Sequence, residues 1–159
     1  MIYLDCTTRM PQRRKVEAFI FEVLQHYLKD TPERDADVSI RMPDKIIDKQ
    51  AREEGNPFWE HSGECSGDRD EVTITLAKKF WSEIYQKWIP YDMDTLMRNL
   101  AHELVHCKQL ILGEMNSTNY KWKGVDYSHV AEDYMDQPWE IEAYEAEDML
   151  VERYFYKKS

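Results

Sequence analysis

The sequence lacks the features that mark membrane and secreted proteins. Its 159 residues contain no run of about 18 apolar residues, the length needed for a membrane-spanning helix. The first residues do not have the layout of a secretory signal peptide. Its three cysteines (Cys6, Cys65 and Cys107) are an odd number without the spacing of a disulfide framework. We therefore expect a protein of the reducing cytoplasm that has no membrane partner.

Other familiar signatures are also missing. The chain has no internal repeat, no low-complexity tract, no glycine-rich phosphate loop and no GxSxG nucleophile motif. An excess of basic charge is absent too, because the formal net charge is −10 and such a surface repels phosphate backbones. Only small basic clusters remain, at residues 9–15 and 121–123. These observations argue against nucleic acid as a partner.

The composition instead fits one globular domain over residues 1–159. Hydrophobic residues make up 42% and charged residues 33%, a balance typical of folded proteins. The length allows a substantial core. Strand-like and helix-like segments both occur, so we expect the α+β class.

Residues 102–106 read HExxH within a segment of helical periodicity. On a helix, positions i and i+4 share a face at roughly 5–6 Å, so His102 and His106 can converge on one ion. Zn–N bonds of about 2.0–2.1 Å suit this spacing. Glu103 follows His102 and is rotated from it by about 100° around the helix axis. There it can take a proton from water on the metal and pass it to a leaving amine. The motif predicts zinc-dependent hydrolysis, with peptide bonds as the first-choice substrate.

The flanking residues support a helix with one buried face. Asp94 is a good N-cap, and Gly113 is a good C-terminal stop. Apolar residues recur between them at helical spacing. They are Leu96, Met97, Leu100, Leu104, Leu110 and Ile111.

A catalytic zinc site also needs a third protein ligand. The continuation HExxHxxGxxH is absent, because residues 109 and 112 are Gln and Leu. A second helix is predicted from Pro138, and it carries several acidic candidates, Glu140, Glu142, Glu145 and Glu147. Glu140 lies nearest the N-terminus of this helix and is preferred, with Glu142 as the main alternative. His129, in a predicted loop or short strand, is the other competitor.

HExxH followed by a helix with Glu-x-x-Ala resembles the gluzincin pattern, which residues 140–143 match. The resemblance covers about residues 92–156 and extends to small metallopeptidases of the ImmA/IrrE type and compact phage proteins. It implies a zincin-like fold, in which a small twisted sheet packs on an N-terminal helix, the HExxH helix and a C-terminal Glu-bearing helix. It also implies Zn²⁺ held by His102, His106 and Glu140, with Glu103 as general base and then acid.

Two departures from the family pattern leave the substrate class open. Thirty-three residues, 107–139, lie between His106 and Glu140, more than in the short-spaced enzymes. In addition, Tyr144 stands where the ImmA-type helix usually has Asn.

The remaining chain predicts the supporting elements. We expect a first strand within residues 1–7, a packing helix from Pro11 to about Lys29, and a strand over residues 38–42. Residues 43–70 are predicted to be irregular, residues 78–91 a short helix or an arm, and residues 138–156 the C-terminal helix. The strand at residues 71–77 is, by the resemblance, a candidate substrate-binding edge. An ordinary internal strand is the alternative.

The long connection at residues 114–136 is a candidate cleft wall or lid. Stabilisation of an oxyanion needs a nearby donor. The candidates are Tyr120, Tyr127, His129 and Tyr134, and the sequence does not rank them. Tyr144, one turn after Glu140, is an alternative that would hydrogen-bond a metal ligand. His61 and Cys65 form a weaker candidate for a second metal pair.

Two other functions remain open. In the first, a regulatory or binding protein holds a closed structural zinc, with His129 or Cys107 as a fourth ligand. In the second, a peptidase similar to the SprT type acts in DNA repair, although that would need a larger basic face. The oligomeric state is not predicted.

Overall fold

Alternating apolar residues build the strands, and longer periodic segments build the helices. The computed structural model describes residues 1–6, 8–116 and 118–158. Its strands are β1 (Ile2–Asp5), β2 (Ala36–Arg41), β3 (Ile46–Ile47), β4 (Glu60–His61), β5 (Gly63–Gly67), β6 (Glu71–Leu76), β7 (Lys79–Ser82), β8 (Lys87–Pro90), β9 (Lys121–Trp122) and β10 (Val125–Asp126). Its helices are α1 (Arg13–Leu28), α2 (Lys49–Glu53), α3 (Met93–Ile111) and α4 (Pro138–Leu150). The fold is therefore mixed α+β, as predicted.

The main sheet has four strands in the order β1-β2-β6-β5. β1, β2 and β6 run parallel to one another, whereas β5 is antiparallel to β6. The interpretation of residues 71–77 as an edge is therefore wrong, because β6 lies between β2 and β5. The edge strands are β1 and β5, and β5 lies within a region predicted to be irregular. Its sequence, Gly-Glu-Cys-Ser-Gly, has none of the β-branched residues that mark a strand.

Helix α3 is the central helix of the core. It contacts α1, α4, β5 and β6, and it is buried from Leu96 to Ile111 except at two positions. The N-cap is Asp92, whose side chain accepts a hydrogen bond from Thr95 N at 2.7 Å, and not the predicted Asp94. The predicted stop is confirmed: Gly113 has φ 73°, and Glu114 N donates to Gln109 O at 2.8 Å.

Helices α1 and α4 pack on α3 through apolar faces. The buried face of α1 contains Phe19, Ile20 and Leu24. Ala143 of α4 is completely buried against this core, so α4 can approach α3 closely. After Leu150 the helix continues as one π-helical turn, Val151–Phe155, so the predicted C-terminal helix extends almost to residue 156. The predicted first strand spans residues 2–5, and Thr7 lies outside the described residues.

Residues 78–91 form an antiparallel hairpin of β7 and β8, and the alternative of a short helix is wrong. The hairpin packs through an aromatic cluster in which Trp88 lies 5.7 Å from Trp59 and 5.8 Å from Trp81, ring centre to ring centre. Among the described residues, no helix is long and apolar enough to span a membrane.

Candidate metal centre

Three side chains converge where α3 meets the first turn of α4. The Nε2 atoms of His102 and His106 lie 3.2 Å apart, and Glu140 Oε1 lies 2.9 Å from each. All three residues are only 7% exposed. Within the described part of the chain they form one group that could hold a metal ion.

The local sequence explains this convergence. The i,i+4 spacing stacks the two histidines on one face of α3. Pro138 stands at the start of α4, so Glu140 lies in the first turn of that helix and faces them. The buried Ala143 one turn later removes the bulk that would keep α4 away. Sequence reasoning thus identified all three members of the group.

The distances fit a tetrahedral ion. Two nitrogens at about 2.05 Å from zinc and a tetrahedral angle apart lie about 3.3 Å from each other. The observed separations of 2.9–3.2 Å between His102, His106 and Glu140 are close to that value. Two imidazoles and one carboxylate also form a donor set used by catalytic zinc sites with an open fourth position.

The electrostatics of the group favour a positive charge. Burial lowers the pKa of His102, but hydrogen bonds to Glu140 and Glu147 outweigh it and raise that pKa to about 9. Burial raises the pKa of Glu140, but its hydrogen bonds with the two histidines lower it to about 2. The same balance of burial against the Glu140 contact raises the pKa of His106. The neighbouring carboxylates therefore stabilise positive charge on both rings.

Outer contacts orient both imidazoles. His102 Nδ1 lies 3.1 Å from Glu147 Oε1, and His106 Nδ1 lies 2.8 Å from Gln109 Oε1. A partner on the second nitrogen fixes the plane of a ligand ring and the position of its proton. Glu147 was among the acidic candidates named from the sequence, whereas Gln109 was not. Its i+3 distance from His106 was the available signal.

Glu103 lies beside the group without being a member of it. It is 7% exposed, and burial raises its pKa. A Cβ atom placed on Gly63 of β5 would lie only 3.0 Å from Glu103 Cγ. The edge strand and the carboxylate are therefore in close contact.

A cavity of about 410 Å³ opens from these residues. Its wall includes His102, Glu103 and Gly63, together with further aromatic and polar side chains. They are Phe58, Glu60, His61, Ser62, Asn99, Tyr134, Tyr144 and Glu147. No lysine or arginine lines the cavity in the described ranges 1–6, 8–116 and 118–158. The space beside the centre is consequently acidic and aromatic.

The tyrosines predicted as oxyanion donors are now distinguishable. Tyr134 lines the cavity, and its hydroxyl donates to Glu140 Oε1 at 2.8 Å. Tyr120 packs instead on Trp139, and Tyr127 stacks on His129. Tyr144 also lines the cavity, with its ring centre 4.5 Å from that of His102.

The other proposed ligands point elsewhere. Glu142 Oε1 accepts hydrogen bonds from Lys108 and Gln109, and Glu145 is exposed. His129 is exposed in a 3₁₀ turn, Ser128–Val130, on the long connection. Cys107 is completely buried in the apolar core, and burial raises the pKa of its thiol to about 12.

The two residues of the weaker candidate metal pair, His61 and Cys65, lie in different surroundings. His61 lines the cavity, whereas Cys65 packs against the core. Burial raises the pKa of the Cys65 thiol, which disfavours the thiolate that a metal would need. Part of the predicted lid, Ser117, lies outside the described residues.

Comparisons with protein-family models, with curated proteins and with solved structures found no significant match for this chain. The interpretation of the centre therefore depends on its own geometry and chemistry.

Proposed function

We propose that the protein is a zinc metallopeptidase of the gluzincin type, with His102, His106 and Glu140 as the metal ligands. One observation carries this proposal. Three ligand atoms lie within hydrogen-bond distance of one another, whereas the Glu103 carboxylate stays outside the group and borders the cavity. A ligand set with a separate buried acid beside an open space suits hydrolysis better than simple storage of an ion.

The roles of the residues follow from their positions. A zinc ion held there would supply Lewis acidity, which lowers the pKa of water and polarises the substrate carbonyl. Glu103 accepts a proton from the attacking water and then donates it to the leaving amine. Tyr134 is the preferred donor to the negative charge that develops on the carbonyl oxygen, because its hydroxyl already faces Glu140.

The edge strand favours an extended peptide as the substrate. β5 is one of the two edge strands of the main sheet, and its first residue, Gly63, touches Glu103. A peptide that pairs with β5 through its backbone brings its carbonyl groups towards that carboxylate. The three free cysteines fit a reducing compartment, so we propose a cytoplasmic peptide or protein.

The two other candidate functions have less support. A closed structural site needs a fourth ligand, but the group contains three residues, and neither His129 nor Cys107 belongs to it. A DNA-repair peptidase needs a surface that attracts phosphate, and the cavity wall carries carboxylates with no lysine or arginine among its described residues.

The test uses the substitution Glu103→Gln together with a matched control, Glu145→Gln. Both replace a carboxylate with an amide, but Glu145 is exposed on α4 outside the cavity. We expect both variants to bind one zinc ion, measured by elemental analysis. We expect Glu103→Gln to cleave no member of a diverse peptide library, whereas Glu145→Gln and the original chain cleave it. Addition of a chelator should stop cleavage by the original chain.

Two results would overturn the proposal. The first is a metal-loaded original chain that cleaves no member of the library. The second is a Glu103→Gln variant that cleaves as fast as the Glu145→Gln control, which would remove Glu103 from the mechanism.

A further inference from the structure

Gln109 is completely buried, although its side chain is polar. Its amide contacts three groups, one on α3 and two on α4. Oε1 faces His106 Nδ1 at 2.8 Å, while Nε2 donates to Trp139 O at 2.9 Å and to Glu142 Oε1 at 3.0 Å. A buried amide with every contact satisfied has one orientation.

That orientation determines which nitrogen of His106 carries hydrogen. A backbone carbonyl and a carboxylate only accept hydrogen bonds, so the NH₂ group of Gln109 must face Trp139 and Glu142. Its oxygen is then left for His106 Nδ1, which must donate. The neutral ring therefore has its lone pair on Nε2, the atom directed at His102 and Glu140.

Lys108 keeps the acceptor in place. It is 4% exposed, and its Nζ donates to Glu142 Oε1 at 2.6 Å and to Glu114 Oε1 at 2.7 Å. The oxygen of Glu142 that Lys108 contacts is the one that accepts from Gln109. Lys108 thus fixes the position of the Glu142 oxygen, and the Gln109 amide cannot rotate by 180° without losing its bonds to Glu142 and Trp139.

The same amide also holds the metal-binding turn of α4. Trp139, whose carbonyl accepts from Gln109, directly precedes Glu140 in the chain. Gln109 therefore bonds both to the ring of one ligand and to the peptide unit next to another. His102 is held differently, through the carboxylate of Glu147.

We propose that Gln109 is a positioning residue of the metal centre: its amide sets the Nε2-ligating tautomer of His106 and ties the Glu140 turn to it. The proposal rests on the proposed function for the nature of the metal. It adds that the neutral amide of Gln109, held by the ion pair of buried Lys108 with Glu142, orients one ligand before the ion binds. Contacts of this kind typically change metal affinity about 10- to 100-fold.

The test compares Gln109→Met with Cys107→Ala. Methionine has nearly the same length as glutamine but offers no comparable donor or acceptor, whereas Cys107→Ala removes a side chain of the neighbouring apolar core that is not a member of the metal-binding group. We expect the zinc affinity of Gln109→Met, measured by competition with a chromophoric chelator, to fall about 10- to 100-fold. The zinc affinity of Cys107→Ala should stay within about twofold of that of the original chain, even if this variant loses as much thermal stability as Gln109→Met.

A second measurement needs no variant. In ¹⁵N NMR of the zinc-loaded original chain, His106 should carry a slowly exchanging proton on Nδ1 and ligate through Nε2. Ligation through Nδ1 would overturn the proposal, as would an affinity of Gln109→Met equal to that of Cys107→Ala. Zinc binding without peptide cleavage would overturn only the proposed function. If His102→Ala leaves zinc binding unchanged, both proposals fail.

Discussion

The helix pair α3–α4 and the segment from residue 43 to 91 are stabilised in different ways. The helix pair holds polar side chains inside the core, with Lys108 and Gln109 both buried and fully paired. Apart from β5 and β6, which belong to the main sheet, the segment depends on two short strand pairs and on aromatic contacts near the surface. Phe58 and Ile84 in this segment remain 78% and 87% exposed.

This difference matches what each region contributes to the proposed activity. A metal centre needs ligands held within fractions of an ångström, and buried hydrogen bonds provide that rigidity. A wall that receives varied peptides can tolerate looser packing. The two regions meet where Gly63 touches Glu103. Substitutions in each region, and at this contact, test whether the two can be varied independently.

The largest effect is expected from Lys108→Met in the helix pair. It leaves Glu114 and Glu142 without their shared buried cation, and breaking such a pair costs about 2–3 kcal/mol when the carboxylates are partly exposed. Urea unfolding of the metal-free protein measures this loss. The control is Lys123→Met, because Lys123 pairs with the same Glu114 at 3.7 Å but is 55% exposed. We expect less than about 0.5 kcal/mol there. Equal losses in the two variants would mean that burial of the lysine does not change what its ion pair contributes to stability.

Trp88→Ala should have a smaller and more local effect. The change removes contacts with Trp59, Trp81 and the Lys45 ammonium, and such aromatic pairs contribute about 0.5–1.5 kcal/mol each. A loss of about 2 kcal/mol in urea unfolding is expected, with zinc affinity unchanged. Tyr85→Ala, at a side chain that is 68% exposed on the same hairpin, should change neither quantity. A tenfold lower zinc affinity in Trp88→Ala would contradict the independence of the two regions.

The comparison also explains which parts were predictable from sequence. Helix α3, the start of α4 and the pair of His102 and His106 were predicted because each depends on spacing within one helix. Glu140, on the second helix, was added because residues 140–143 resemble the gluzincin pattern. Glu140 was preferred over Glu142 because it lies nearest the N-terminus of α4, but Glu142 stayed open as the main alternative until its contacts with Lys108 and Gln109 were seen. The N-cap was misassigned because Asp92 and Asp94 are chemically identical candidates two residues apart.

Features that depend on long-range pairing were not predictable. β5 has little strand propensity of its own and exists because β6 offers it a partner. In residues 78–91 the aromatic residues recur at intervals that also fit a helix, and the hairpin is decided by packing on Trp59. The role of Gln109 was hidden for the same reason, since its partners Trp139 and Glu142 lie on α4.

Gly63→Ala tests the contact between the two regions. The other four glycines have positive φ, a conformation that favours glycine. Gly63 does not, so its backbone conformation is open to alanine. An added methyl group would lie 3.0 Å from Glu103 Cγ and 3.1 Å from its Oε1, and the carboxylate must shift. We expect kcat to fall about tenfold, or about 1.4 kcal/mol in the barrier. Unfolding and zinc affinity should stay unchanged. A kcat equal to that of the original chain would mean that Glu103 moves without consequence.

The smallest effect is expected at the surface of the helix pair, from Asp94→Asn. Hydrogen bonds from Arg98 and Tyr156 hold the pKa of Asp94 below its usual value. A carboxyl group with a lowered folded-state pKa stabilises the protein above its unfolded pKa of about 3.9, and this contribution disappears as pH falls through the folded value. Asp94 is 45% exposed, so solvent screening limits the contribution to a few tenths of a kcal/mol at neutral pH. The difference in urea unfolding between the original chain and Asp94→Asn should therefore be small at pH 7 and vanish near pH 2–3. If the difference in free energy of unfolding grew as the pH falls, the ionised Asp94 carboxylate would destabilise the fold. The start of α3 and the C-terminal segment around Tyr156 would then be held together mainly by apolar contacts.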